Sequence, residues 1–370
     1  MGHIINLSVN AFLWVKSTED LESMETETQL EDLDAVQQWR RKEPLGKMHN
    51  IVVHIQSSPQ RQKEFSLLSK GRRPARDNET RWNSWAHALK INTTPVLKDA
   101  FNTYVQRHIR EEVINDALSD EDWQVLHKIQ EFLQFLECIT LELESNSSTL
   151  DHVLSAMDLL LSHYELFKER YSDDNILSAM LNAGWRKLDK YYSLSDITPT
   201  YVAAIVLNPG FKLDYIRHHW KLSEAKIAER KMLEYWNTEY KPKPVILTTQ
   251  SESDSPIPIS LSSYMRQHYK PQHITDEYSH YIQQDIVNVE NPLQWWLESS
   301  QQTKYPNLSN MAIDILTIPA MSAKPERVFS QAKHRLTDLR NRLGVDVLRS
   351  FECLKSWLKL KDFYPEHIFE

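Results

Sequence analysis

Glycine is the residue this chain does without: only 6 occur among 370 residues. Few backbone positions can therefore take positive φ cheaply, while Leu, Glu, Lys, Gln and Ala, which lose little on entering a helix, are plentiful. A mainly α-helical protein is expected. Hydrophobic residues make up 41% of the chain and aromatics 10%, enough to bury one large core or two smaller ones. Between about residues 91 and 240 the apolar residues recur at helical spacing. Trp123, Leu126, Ile129, Leu133 and Leu136 form one stripe, and Leu154, Met157, Leu161 and Tyr164 another. Such stripes are core faces of a helical bundle. Asn146-Ser147-Ser148-Thr149 and Ser172-Asp173-Asp174-Asn175 supply turn and cap chemistry between its helices.

Charge and cysteine usage exclude several classes. A formal net charge of -8 argues against coating nucleic acid or an anionic membrane by bulk electrostatics, so any DNA contact must be local. Cys138 and Cys353 lie far apart and form no metal-ligand spacing, which fits a reducing compartment. The apolar run Ile4 to Val15 is too short to span a bilayer and lacks the flanks of a signal peptide, so no membrane partner is expected and the chain reads as soluble and intracellular. No P-loop, nucleophile elbow or HExxH motif points to an unrelated enzyme.

Local charge is uneven. Glu19, Asp20, Glu22, Glu25, Glu27, Glu31, Asp32 and Asp34 read as a mobile acidic loop, 17–35. From Arg40 the sign inverts, and Lys70-Gly71-Arg72-Arg73-Pro74-Ala75-Arg76 admits two readings: a solvated linker, or a cluster that holds phosphates or serves nuclear import. Residues 241–258 carry four prolines and a Ser/Asp cluster, the best linker in the chain, and Tyr264 to Val287 then reads as a polar helix. Near the C-terminus Val347, Leu348, Phe351, Leu354, Trp357 and Leu358 line one helical face. Residues 324–361 hold ten Lys/Arg against four Asp/Glu, a basic end that admits phosphate contact or a solvated face.

Three blocks of sequence carry a resemblance. The first is Asn291-Pro292-Leu293-Gln294-Trp295-Trp296, Tyr305-Pro306-Asn307-Leu308, Met311 to Ala323, Glu326-Arg327-Val328-Phe329-Ser330 and Arg340-Asn341-Arg342-Leu343; the second is Thr80-Arg81-Trp82-Asn83-Ser84; the third is Asp189-Lys190-Tyr191-Tyr192 with Ala203 to Pro209. In order and spacing they resemble the C-terminal part of a hAT-superfamily transposase, nearest to fungal members, with its dimerisation region. The resemblance implies a partial RNase H-like catalytic core interrupted by a long helical insertion domain. Its division would be 1–90 as core remnant and start of the insertion, 91–240 as helical insertion, 241–290 as linker and polar helix, and 291–370 as dimerisation region.

The same resemblance assigns roles. In the family three acids bind two divalent metals, which one carboxylate cannot hold alone. Glu326 matches the third acid. The first two precede the family's Cys-x-x-His stretch, which His3 resembles here with the cysteine falling just before Met1, so Glu326 reads as a vestige and no cofactor is expected for this chain. Mg or Mn would serve a complete enzyme. Arg81 and Trp82 match the segment lying near the DNA hairpin, where an indole stacks on an unpaired base and an Arg pairs with phosphate; the alternative is a buried Trp with a satisfied Arg. For self-association the expected residues are Phe329, Leu343, Val347, Leu348, Phe351, Leu354 and Leu358. The expected function is a transposase-derived protein, nuclear by resemblance, that retains dimerisation and does not transfer strands alone. Its partners would be itself or a full-length hAT transposase, with DNA as a further candidate. Two alternatives stand beside it: an incomplete gene model of an active transposase, and a DNA-binding regulator that pairs with the full-length enzyme.

Overall fold

Ser119 opens the longest helix of the computed structural model with a reciprocal cap. Its hydroxyl accepts from Asp122 N at 3.1 Å while the Asp122 carboxylate accepts from Ser119 N at 2.9 Å, and Asp120, Glu121 and Asp122 complement the positive helix end. The structure describes residues 1–14, 44–77, 82–145, 148–195, 198–242, 276–321 and 345–357. Among these, the regular elements are helical: α1 Gly2–Trp14, α2 Leu45–Gln56, α3 Pro59–Leu68, α4 Trp82–Asn92, α5 Pro95–Arg107, α6 Asp120–Leu143, α7 Asp151–Arg170, α8 Asn175–Ser195, α9 Thr200–Leu207, α10 Lys212–His219, α11 Leu222–Tyr235, α12 Glu277–Gln283, α13 Pro292–Leu297, α14 Ser299–Lys304, α15 Pro306–Leu316 and α16 Val345–Trp357. The mainly α expectation holds. No strand of an RNase H-like core is found among the described residues, where β pairing is limited to one bridge, Thr149 with Pro319. The acidic loop 17–35 and most of the proline-rich linker lie outside them.

The described residues divide into two units, with the boundary after Ala320. Within the first, the predicted stripe of α6 is fully buried. The α7 stripe is buried at Leu154, Met157 and Tyr164, but Leu161 is only half-buried because it borders an open cleft toward α11. An aromatic centre joins the elements: Phe132 of α6 lies with ring centroids 4.5 Å from Phe12 of α1 and 4.8 Å from Tyr164 of α7. Ser8 of α1 shares a hydrogen bond of 2.9 Å with the Tyr164 hydroxyl and donates to Gly184 O at 2.8 Å. Gly184 is required there, since a Cβ would overlap the Tyr164 ring. Asp174 caps α8 by accepting from Leu177 N at 3.1 Å, as the turn residues predict.

The predicted polar helix over 264–287 is shorter in its described part. It runs only Glu277–Gln283, and Tyr278 and Tyr281 are buried. Gln284 is extended, and the Tyr281, Gln284 and Asp285 carbonyls at this end accept from Lys212 of α10.

Candidate self-association region

The site begins with the backbone of α9, whose residues Val202 to Leu207 are all buried. A buried helix end must have its last carbonyls satisfied. Here indole and phenol side chains from far along the chain do this. Trp296 Nε1 of α13 donates to Leu207 O at 2.7 Å, and the Tyr281 hydroxyl of α12 donates to Val206 O at 3.1 Å. Lys212, just after α9, has φ of 48° and a buried side chain. Its ammonium donates to the carbonyls of Tyr281, Gln284 and Asp285 at 2.8 to 3.0 Å, capping α12. Burial pulls the Lys212 amine below its ordinary range. Glu277 reciprocates by capping α15, accepting from Asn307 N at 2.9 Å and Leu308 N at 2.8 Å. Thus the Ala203–Pro209 block and the blocks at 291–296, 305–308 and 311–320 are one packed body.

The far end of the region is different. α16 presents Val347, Phe351 and Leu354 at i, i+4 and i+7, with exposures of 57%, 52% and 49%, and Trp357 beside them at 55%. An ordered apolar stripe left in water is uncommon and marks a surface that another surface can cover. Leu348 lies in the same helix, but its side chain is outside the described residues, as are Phe329, Leu343, Leu358, Arg81 and Glu326. Trp82 begins α4 and is 3% exposed. Among the described residues no group of three or more His, Cys, Asp or Glu could hold a metal ion, so the donor set of a two-metal centre is not among them. Nor is any described helix long and apolar enough to cross a membrane.

Residues 277–358 match the model of the hAT family C-terminal dimerisation region. This segment resembles a hAT dimerisation region. Over 90% of its length the chain is 27% identical to tpeD of Talaromyces stipitatus, whose name is that of a transcriptional regulator, covering 38% of that protein. It is 22% identical over 76% of its length to the zinc finger BED domain-containing protein DAYSLEEPER of Arabidopsis thaliana, covering 40% of it. Over 85% it is 22% identical to a Zea mays protein named for the AC transposase, covering 41%. The chain thus spans less than half the length of these relatives.

Sequence reading found the hAT region and the stripe of α16, but it missed Lys212 and Glu277. Their signals were present only as a lone lysine and a lone glutamate. Nothing in the spacing shows that either would be drawn to a helix end tens of residues away.

Proposed function

We propose that the chain is a transposase-derived protein whose retained activity is self-association through its hAT region. The observation that carries this is the half-exposed apolar stripe of α16 inside the matched segment. Burying such side chains against a second copy is worth about 1.5–3 kcal/mol each, and a charge placed there would oppose contact. The full chain is expected to show concentration-dependent dimers or larger species in sedimentation velocity. Val347→Asp/Leu354→Asp should weaken association by at least about tenfold, as the loss of one such burial predicts. A chain that stays monomeric at every concentration, or a double variant that associates like the parent, overturns the reading.

A second reading is favoured by coverage. Because the chain spans less than half the length of these relatives, its residues also fit the C-terminal part of a complete cut-and-paste enzyme. Glu326 would then be the third acid of a Mg or Mn site whose other acids lie upstream. Mapping the transcript's 5′ end for an in-frame extension distinguishes the two. A purified 370-residue chain that cuts or joins DNA with Mg or Mn, and loses this in Glu326→Gln, would contradict the proposal of a chain inactive in strand transfer. A third reading is a DNA-binding regulator that pairs with a full-length transposase; failure of the two chains to co-purify would remove it.

A further inference from the structure

The segment after α3 is built as a rigid rack for arginines. Lys70 and Gly71, at φ of 55° and 81°, reverse the chain in two successive left-handed residues, closed by Gly71 N donating to Ser66 O at 2.7 Å. Residues 72–77 then run as irregular backbone held at four places. The buried Ser69 hydroxyl donates to Arg72 O, and Gln56 Nε2 donates to Pro74 O at 3.4 Å. Asn92 of α4, fully buried, takes both backbone groups of Ala75, accepting from its N at 2.9 Å and donating to its O at 2.8 Å. Asp77 is bound to His49 Nδ1 at 2.7 Å.

What this rack presents is a cleft of about 520 Å³ lined by Lys63, Arg72, Arg73 and Arg76, with Gln56, Gln62 and Ser66 between them. Among the described residues no carboxylate lines it. The four cations are exposed, and none has an acidic partner among the described residues. Arg61, on the same helix as Lys63, shows the contrast: it is neutralised by Glu111 at 2.7 Å. Four like charges gathered on a fixed backbone repel one another, and an acidic protein gains nothing in solubility from them. The guanidinium forks of the three arginines match phosphate oxygens in pairs.

We propose that this cleft binds the phosphodiester backbone of DNA, as a contact separate from Arg81 and Trp82. The open form and the run of charges fit a chain of phosphates, read without regard to base sequence. Recognition of the same run by an import receptor is disfavoured. A receptor that reads an extended peptide needs the peptide's backbone free, and here the groups at 72, 74 and 75 are already bonded.

The test is fluorescence anisotropy of the full chain with a short labelled duplex of arbitrary sequence, titrated at several salt concentrations. Arg72→Ala/Arg73→Ala should weaken binding by about tenfold and lower the slope of log K against log salt by about two, one for each lost phosphate contact. Lys226→Ala/Arg230→Ala, which removes the same charge from α11, should change affinity by less than about twofold, since bulk charge alone has no site. Circular dichroism melts confirm that both variants fold. Equal losses in the two variants, no binding by the parent, or complete displacement of the duplex by inorganic phosphate at equal phosphate concentration would each overturn the proposal. So would an intact DNA affinity in Arg72→Ala/Arg73→Ala, even if that variant loses nuclear import.

Discussion

Asp151 is a fully buried carboxylate, and its environment shows how one residue can make folding sensitive to pH. Burial opposes its ionisation, yet the neighbouring His152 at 3.3 Å, the Thr149 hydroxyl and the Asn208 amide outweigh this and hold it below the ordinary carboxylate range. The same carboxylate, acting against burial, raises His152 above its ordinary value. A raised histidine stabilises fully below its unfolded value of about 6.5 and ceases to do so as pH climbs through the folded value. The depressed Asp151 acts oppositely, contributing above about 3.9 and losing its contribution as pH falls through its folded value. The pair is therefore strongest between those limits. Thermal midpoints of the parent and His152→Gln should differ most below about pH 6.5, while Asp151 is ionised, and converge as pH rises through the raised histidine value. A gap that stays constant or widens with pH would remove His152 from this role.

At the scale of elements, much of the molecule could be read in advance because its signals are local. The helical period of α6, the Ser119–Asp122 cap and the Asp174 cap depend on residues within a few positions of one another, so their pattern survives in one dimension. The stripe of α16 is legible for the same reason. Leu161 was misjudged because periodicity identifies a face and not its edge, and this residue sits where α7 meets a cleft. The length of α12 was misjudged where its end carbonyls meet Lys212, a residue separated from Gln284 by some seventy positions. The cleft beside α3 was half-legible. Its arginines stand together in the sequence, but the partners that fix their backbone come from three other helices or turns. Whether a basic run is a loose linker or a rack is decided by those partners alone.

For the whole molecule, the joint between α9 and the start of the hAT region matters beyond the carbonyls it satisfies. Because Trp296 and Tyr281 bond the end of α9 while Lys212 bonds the end of α12, the described residues before 243 and after 275 are clasped by noncovalent links that do not depend on the peptide bonds between them. A clasp of this kind holds when the strap between its parts is cut. One protease cleavage engineered between residues 243 and 275 should therefore give two bands on a denaturing gel but a single species on size exclusion. Trp296→Phe, which keeps the ring but removes the donor to Leu207, should lower the denaturant needed to separate the pieces. If the two pieces part spontaneously in native buffer, the joint does not hold. If they stay together, the joint alone holds the piece that carries residues 277–358, and that segment can be supplied on a separate chain.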